Sequence, residues 1–142
     1  MKTIRLTGRS VVSGKVHGLA LVTSQPISFF GGVDPESGTI IEKRHELEGK
    51  KVTGKILVFP RGKGSTVGSY VIYAMKKKKT APEAMINIET EPIIAVGCIL
   101  AEIPLMDKFN INPIPVIKTG DFVEVLADEG FITVQSTIPK SL

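Results

Sequence analysis

The stretch that decides the fold runs from Lys55 to Met75 and reads KILVFPRGKGSTVGSYVIYAM. Ile56 to Phe59 form an unbroken apolar run that ends at Pro60, which is typical of a buried strand. Beyond the glycines, apolar side chains recur with helical spacing at Val67, Val71, Ile72 and Met75. The stretch therefore predicts a buried strand, a glycine-rich turn and a helix, in that order.

The predicted turn, Arg61 to Thr66, lies where the first backbone N–H groups of a helix have no partner within that helix. Such groups favour a carboxylate, a phosphate or a developing oxyanion, and Arg61 and Lys63 add positive charge beside them. Ser65 or Thr66 has the simpler alternative of capping the helix, which contributes about 1 kcal/mol and needs no function. The turn is thus the candidate functional site, with Ser65 at its centre.

Three named motifs are absent from this turn. The spacing of Gly62, Gly64 and Gly68 is two and then four, whereas a dinucleotide-binding turn has two and then three. The sequence contains no Gly-x-x-x-x-Gly-Lys-Ser/Thr run for a nucleotide P-loop, and Ser65 does not lie in the Gly-x-Ser-x-Gly pattern of a hydrolase nucleophile. These patterns therefore support neither nucleotide cofactors nor a hydrolase triad.

The rest of the chain is strand-rich with helical segments between strands. Arg5–Val12 and Lys15–Thr23 are predicted to be strands, and the turn signal Ser13-Gly14 between them predicts a hairpin or a bulged pair. We also predict a strand at Thr39–Ile41 and a helix that ends at lysines 76–79. The apolar segment Pro92–Leu105 is predicted to be a buried helix or a subunit contact. Near the end of the sequence we predict a hairpin of Phe122–Leu126 with Phe131–Val134, turning at Asp128-Glu129-Gly130, and a frayed tail at Ser136–Leu142.

A second glycine-rich segment, Ile27 to Gly38, is too rich in glycine and proline for a regular element and too apolar for an ordinary surface loop. Two adjacent phenylalanines precede Gly31-Gly32, so we expect a packed loop. Two interpretations stay open: a structural bend whose rings fill the edge of the core, or a loop that lines a binding cleft and presents Asp34.

Composition sets limits on the class of protein. A chain of 142 residues with 42% hydrophobic and 23% charged residues is expected to form one domain over 1–142. A net charge of +4 favours anionic ligands or an acidic partner, but the absence of Trp and of interleaved aromatic and basic residues argues against nucleic acid. No apolar run is long enough for a signal peptide or a membrane span, so a cytoplasmic location is expected.

Metal-binding residues are scarce. Cys98 is the single cysteine and cannot by itself hold a zinc ion or an iron-sulfur cluster, so any such group must belong to a partner. Cys98 itself is expected to be a small buried hydrophobic residue. His45 and His17 have no companion at metal-ligand spacing. Solvation is the simpler interpretation of His45, and a functional role is the alternative.

Three stretches together carry a resemblance to a known family: Gly62–Val71, Ile27–Pro35 and Thr90–Gly97. They resemble the small subunits of archaeal phosphomevalonate dehydratases, which belong to the aconitase X group. The similarity runs in order over nearly the whole chain. One departure is that the family pattern has arginine where this chain has Lys63, and lysine keeps the charge but loses bidentate geometry.

The resemblance implies a fold and a partner. The fold is a mixed α/β swivelling β/β/α domain, a strand-rich sandwich or barrel with flanking helices, similar to the small domain of aconitases. The partner is a large catalytic subunit that carries a 4Fe-4S cluster, while this chain itself binds no cofactor or metal.

The resemblance also implies a reaction, the removal of water from (R)-5-phosphomevalonate to give trans-anhydromevalonate 5-phosphate in the archaeal mevalonate route to isoprenoids. The family's catalytic serine falls on Ser65, which is then the general base. An alternative is a phosphate-binding or carrier swivelling module without chemistry of its own. The predicted substrate-binding residues are Arg61, Gly62, Lys63, Gly64, Thr66, Ser28, Gly31, Gly32 and Asp34.

Overall fold

A computed structural model describes residues 2–136 of the chain. The strands are β1 (Thr3–Thr7), β2 (Arg9–Val12), β3 (Lys15–Val22), β4 (Val33–Asp34), β5 (Thr39–Ile40), β6 (Ile56–Val58), β7 (Ala84–Ile86), β8 (Leu105–Asp107), β9 (Phe122–Leu126) and β10 (Phe131–Gln135). The helices are a kinked turn α1 (Phe29–Gly32), α2 (Gly68–Lys78), α3 (Pro92–Ala101) and a 3-10 turn at Ala127–Glu129. Apart from Ser136, the predicted tail lies outside the described residues.

Eight strands form one sheet in the order β1-β10-β9-β3-β6-β7-β8-β2. The neighbours from β3 to β8 run parallel, and the remaining pairs are antiparallel. The two outermost strands of this order, β1 and β2, are consecutive in the chain, so the sheet nearly closes on itself. This confirms the mixed α/β, strand-rich fold with flanking helices.

The predicted hairpin of the first two strands is wrong. The segment Arg5–Val12 is broken at Gly8, so that β1 pairs with β10 while β2 pairs with β8, and β3 pairs with β9 and β6. A Cβ atom at Gly8 would lie 2.7 Å from the Phe109 ring and 2.8 Å from the carbonyl oxygen of Asp107. The chain therefore bends where only glycine fits, and long-range pairing overrides the local turn signal at Ser13-Gly14.

Strand β6 divides the apolar core into two parts. Successive side chains of a strand point to opposite faces, so Ile56 and Val58 pack among the buried residues of β9 and β10, whereas Leu57 and Phe59 pack under α2 and α3. All four are fully buried. This confirms the buried strand predicted at Lys55–Phe59, with Lys55 itself just before it, and the hairpin of β9 with β10 is confirmed as well.

Both long helices begin and end at recognisable residues. Helix α2 ends in its lysines, as predicted, and Lys79 terminates it in the left-handed conformation. Helix α3 begins with Pro92 in its first turn, and the Glu91 carboxylate accepts hydrogen bonds from the N–H groups of Ile93 and Ile94 at 2.8 and 2.9 Å. No helix within residues 2–136 is long and apolar enough to cross a membrane.

A paired arginine and aspartate join β2 to β8. Nε and Nη2 of Arg9 donate to the two carboxylate oxygens of Asp107, each at 2.9 Å, and the N–H of Thr90 donates to the same carboxylate at 2.8 Å. Burial raises the pKa of Asp107, but the hydrogen bonds from Arg9 and Thr90 outweigh it and leave the pKa below its ordinary value. The pair thus also holds the loop after β7.

The Asp107 carboxylate should stabilise the fold in a pH-dependent way. The pKa of Asp107 is lower in the folded state than in the unfolded state, where it is about 4. Its contribution to the free energy of unfolding is therefore complete at pH values above the unfolded-state pKa, and it is lost as the pH falls through the folded-state pKa. Asp107→Asn should therefore lower the melting temperature by a few degrees at neutral pH, and the difference from the wild type should shrink below about pH 4.

Glu102→Gln is the matched control, because this exposed carboxylate has no side-chain partner within the described part of the chain. Melting curves recorded by circular dichroism across this pH range give the comparison. An Asp107→Asn protein that melts like the wild type at neutral pH would contradict the assignment.

Candidate functional site

Three loops meet at one edge of the sheet. Strands β3, β6 and β7 are parallel neighbours, so their carboxyl ends open on the same side. The loop after β3 carries Ser28, the loop after β6 carries Gly62 to Ser65, and the loop after β7 carries Thr90 and Glu91. Loops at the carboxyl ends of parallel strands are the usual place for ligands in α/β folds.

Backbone hydrogen bonds join the first two loops beyond the ends of their strands. The N–H of Ile27 donates to the carbonyl oxygen of Arg61 at 3.2 Å, and the N–H of Lys63 donates to the carbonyl oxygen of Ile27 at 3.1 Å. Gly64 then approaches Ser28 so closely that an added Cβ atom would lie 2.5 Å from Ser28 Oγ. With a φ of +88°, Gly64 also has a backbone conformation that favours glycine.

Ser65 is exposed at the tip of this arrangement. Its hydroxyl oxygen accepts a hydrogen bond from the N–H of Val67 at 3.1 Å, and α2 begins at Gly68 with Val67 at the cap position. Neither Ser65 nor Thr66 is therefore the N-cap residue. Among residues 2–136 no acceptor faces the N–H groups of Gly64, Ser65 and Thr66.

The two cations of the turn differ in their partners. Lys63 Nζ lies 2.8 Å from Glu42 Oε2, and both side chains are partly exposed. The Arg61 guanidinium has no hydrogen-bond or ion-pair partner in the described chain, and its residue lines a separate depression next to Glu89 and Thr90. Arg61 is thus the cation of the turn that is available to an incoming anion, while Lys63 is held by a carboxylate.

A cavity of about 420 Å³ opens beside the turn. It is lined by Ser28, Phe30, Gly31, Gly32, Glu42, Lys63 and Gly64. Five of the predicted substrate-binding residues therefore share one cavity, whereas Arg61 and Thr66 lie on other faces of the same turn. Of the two adjacent phenylalanines, Phe29 is buried in the core, as a structural bend requires, and Phe30 stands half-exposed at the cavity. A binding role for this loop stays a prediction.

Asp34 is placed differently from the other predicted residues. Its carboxylate oxygens accept hydrogen bonds from the N–H of Glu36 at 3.0 Å and from the hydroxyl of Ser37 at 2.9 Å. These contacts close the turn between β4 and β5, and Asp34 does not line the cavity. Its place in the structure is that of a turn-forming aspartate.

Two carboxylates that support the turn were not predicted. An added Cβ atom at Gly62 would lie 2.4 Å from Glu91 Oε1, so the turn packs directly on the cap of α3. An acidic residue immediately before a proline-initiated helix is a local signal that could have identified Glu91. Glu42 lies 21 positions from Lys63, and no local pattern links the two.

His45 is buried and holds the loop that follows β3. Its Nε2 lies 3.1 Å from the carbonyl oxygen of Pro26, and its Nδ1 accepts the N–H of Leu47 at 3.0 Å. A carbonyl oxygen only accepts, so this network assigns the proton to Nε2 of a neutral ring. The expectation of a solvated histidine is wrong, since both ring nitrogens bond to backbone, one at Pro26 just before Ile27 and the other at Leu47.

The residues that the structure describes do not fit an iron-sulfur cluster or a metal ion. No group of three or more His, Cys, Asp or Glu side chains within residues 2–136 is arranged to hold a metal. Burial raises the pKa of the Cys98 thiol, whose sulfur lies 3.7 Å from that of Met85 inside the core. Cys98 is therefore the small buried residue that its sequence context predicts.

A comparison with known protein families matches nearly all of the residues that the structure describes. The sequence pattern of the aconitase X swivel domain matches residues 5–134. The chain belongs to this family. The phosphomevalonate dehydratase small subunit of Methanosarcina acetivorans is 52% identical over 132 residues, which are 93% of this chain and 92% of that protein. The resemblance seen in the sequence is thus confirmed.

Solved structures agree with the family assignment. Aconitase X of Thermococcus kodakaraensis superposes with a TM-score of 0.88 at 47% identity, over 94% of this chain and 99% of that one. A 3-isopropylmalate dehydratase of Methanocaldococcus jannaschii has a TM-score of 0.61 at 21% identity, over 91% and 85% of the two chains, and shows the likeness of fold alone. The predicted similarity to aconitase small domains is confirmed at the level of fold.

The contact between the turn and α3 can be tested by adding one methyl group. In Gly62→Ala the new carbon would lie 2.4 Å from Glu91 Oε1 and 2.6 Å from Ile94 Cγ1. The substitution should displace the helix cap and lower the free energy of unfolding by about 1 to 3 kcal/mol, as measured by urea denaturation.

Gly32→Ala provides the control for this test. The nearest atom to its new carbon, Glu42 Oε1, lies 3.3 Å away at the end of a flexible side chain, so little stability should be lost. If Gly62→Ala were as stable as Gly32→Ala, the turn would not pack on the cap of α3 as described.

Proposed function

We propose that this chain supplies half of the active site of a phosphomevalonate dehydratase, with Ser65 as the general base. The observation that carries the proposal is the exposed Ser65 hydroxyl, which accepts the N–H of Val67 and lies among the N–H groups of Gly64, Ser65 and Thr66, for which residues 2–136 offer no acceptor. A base at this place faces outward, toward whatever chain closes over the sheet edge.

Membership of the family makes the chain a dehydratase subunit that acts with a larger subunit. Its relatives named phosphomevalonate dehydratase small subunit match it along nearly their full length. We infer that the substrate is (R)-5-phosphomevalonate and the product trans-anhydromevalonate 5-phosphate. Both carry a carboxylate and a phosphate, in keeping with the positive charge and free amides of the turn.

The reaction divides into two parts. A proton leaves the carbon beside the carboxylate and hydroxide leaves the neighbouring tertiary carbon, so that a double bond forms and one water is released. Ser65 begins as an alkoxide, takes the proton from carbon and later returns it to solvent. Residues 2–136 hold no metal-binding group, so we expect the electrophile for the hydroxide from the larger subunit, as a 4Fe-4S cluster there would provide.

A serine acts as a base only where its alkoxide is stabilised. The Val67 N–H already donates to Ser65 Oγ, and the dipole of the eleven-residue helix α2 places further partial positive charge at the same end. Removing one such donor typically raises the barrier by about 2.7 to 4 kcal/mol, whereas losing the hydrogen bond of a side chain at the start of a helix costs about 1 kcal/mol of stability. Catalysis and folding can therefore be separated at this residue.

Ser65→Ala tests the base assignment directly. Reconstituted anaerobically with the larger subunit, the variant should dehydrate phosphomevalonate about a hundredfold to ten-thousandfold more slowly, because no group remains to take the proton. Mass spectrometry of the product gives the rate. The free energy of unfolding, measured by thermal denaturation, should fall by no more than about 1 kcal/mol, the contribution of one hydrogen bond at the start of a helix.

Ser10→Ala is the control, because Ser10 is an equally exposed serine that lies on β2, outside the three loops of the site. Both variants must assemble with the larger subunit and retain its iron content for the comparison to hold. A wild-type rate for Ser65→Ala under these conditions would remove Ser65 from the chemistry.

The Lys63–Glu42 pair yields a second test, on binding. Glu42 places a negative charge in the cavity that we assign to an anionic substrate. Glu42→Gln should release Lys63 and lower the KM for phosphomevalonate by about two- to fivefold with kcat little changed, the range expected of one exposed ion pair.

Glu36→Gln is the matched control, because it breaks an ion pair of similar length, 2.9 Å to Lys78, away from the cavity. Its KM should equal that of the wild type. A raised KM in Glu42→Gln would mean that Glu42 holds Lys63 in the binding position, contrary to our interpretation.

A further inference from the structure

Apolar side chains gather on the outer surface of the two long helices. Each is between 39% and 68% exposed. We call this set, Val67, Tyr70, Tyr73, Val96, Ile99 and Leu100, the helix-pair surface. Exposed apolar residues scattered singly are ordinary, but six of them on two helices that pack against each other indicate an interaction site.

The two helices are fixed rigidly against each other. The hydroxyl of Ser69 donates to the carbonyl oxygen of Ile93 at 2.7 Å, and an added Cβ atom at Gly97 would lie 2.6 Å from Ile72 Cδ1. Close packing through glycine and serine gives their outer faces a defined shape. A partner can therefore recognise this surface without first having to order it.

Helix α3 is the more informative of the two. Its sequence, PIIAVGCILA, contains no charged residue and no polar side chain other than a buried thiol. One side, with Ile94, Cys98 and Ala101, is buried in the core, and the other side is exposed in this chain alone. A helix that is apolar on every side is expected to be buried on every side. One side of α3 packs on the core of this chain, so its sequence indicates that another chain covers the other side.

The helix-pair surface starts at the candidate site. A groove of about 250 Å³ between the helices is lined by Thr66, Ser69, Tyr70, Pro92, Ile93 and Val96. Thr66 is the residue after Ser65, and Val67 is the donor to the Ser65 hydroxyl. A chain that covers the exposed Ser65 therefore meets the first turns of α2 and α3, and then the rest of the surface.

Lysines border the far end of this surface. Lys76 to Lys79 are all exposed at the end of α2, and Lys77 Nζ lies 5.4 Å from the centre of the Tyr73 ring. An apolar patch with a cationic rim is complementary to an apolar patch flanked by carboxylates.

We infer that the helix-pair surface is the docking surface for the larger dehydratase subunit, which contacts α2 and α3 through an apolar patch with an acidic rim. The inference rests on the proposed function in one respect, namely that the larger subunit must cover Ser65. It goes beyond that function because it locates the contact on apolar side chains of α2 and α3 to which we assign no part in the chemistry.

The test is the affinity between this chain and the larger subunit from the same organism, measured by isothermal titration calorimetry. Ile99→Ser and Leu100→Ser should each weaken binding by about tenfold or more, as truncation of a central interface residue does. Lys77→Glu, which reverses the charge of an exposed residue, should also weaken binding, and the loss should diminish at high salt.

Ile111→Ser is the matched control, since Ile111 is equally apolar and 48% exposed but lies outside α2 and α3. It should bind like the wild type. Ser65→Ala should also bind like the wild type, so a failed base assignment and a failed docking assignment give different results.

Unchanged affinity in Ile99→Ser, Leu100→Ser and Lys77→Glu would overturn the inference. A self-associated chain in light scattering that becomes monomeric in Ile99→Ser, with unchanged binding of the larger subunit, would assign the surface to a second copy instead. Circular dichroism of each variant separates lost binding from lost folding.

Discussion

The parallel backbone pairing between Ile27 and Gly62 is the contact on which the candidate site depends. Strands β3 and β6 end at Val22 and Val58, yet their loops continue to exchange hydrogen bonds beyond those ends. This pairing brings Ser28 against Gly64 and leaves no room for a side chain on the glycine. Without it, the two glycine-rich segments would be independent loops and would not form a shared cavity.

Other parts of the fold support that pairing from both sides. His45 fixes the backbone of Pro26 just before Ile27, and Glu91 packs against Gly62 while it caps α3. Asp107 in turn fixes Thr90 through its N–H. The exposed Ser65 therefore stands on a supported backbone, which is how a reactive group is held in place before a partner arrives.

The sequence allowed prediction of the features whose signals are local. Pro60, the glycines and the helical spacing after them predict the strand, turn and helix around Ser65, and the apolar run predicts the burial of β6.

The features that were missed depend on residues far apart: Arg9 reaches Asp107 across 98 positions, and Glu42 reaches Lys63 across 21. The hairpin predicted at Ser13-Gly14 failed for the same reason, because closure of the sheet around Gly8 decides which strands pair. The short strands β7 and β8 were not predicted, because three residues each offer too little periodicity.

The central claim is that this chain contributes the proton-accepting half of an active site that a larger subunit completes. The most direct measurement is a crystal structure of the two subunits with a non-reactive substrate analogue bound. Our account predicts that Ser65 Oγ lies within about 3.5 Å of the carbon that loses its proton, at the contact between the subunits. A side chain of the larger subunit at that carbon, with Ser65 turned toward solvent, would contradict the account.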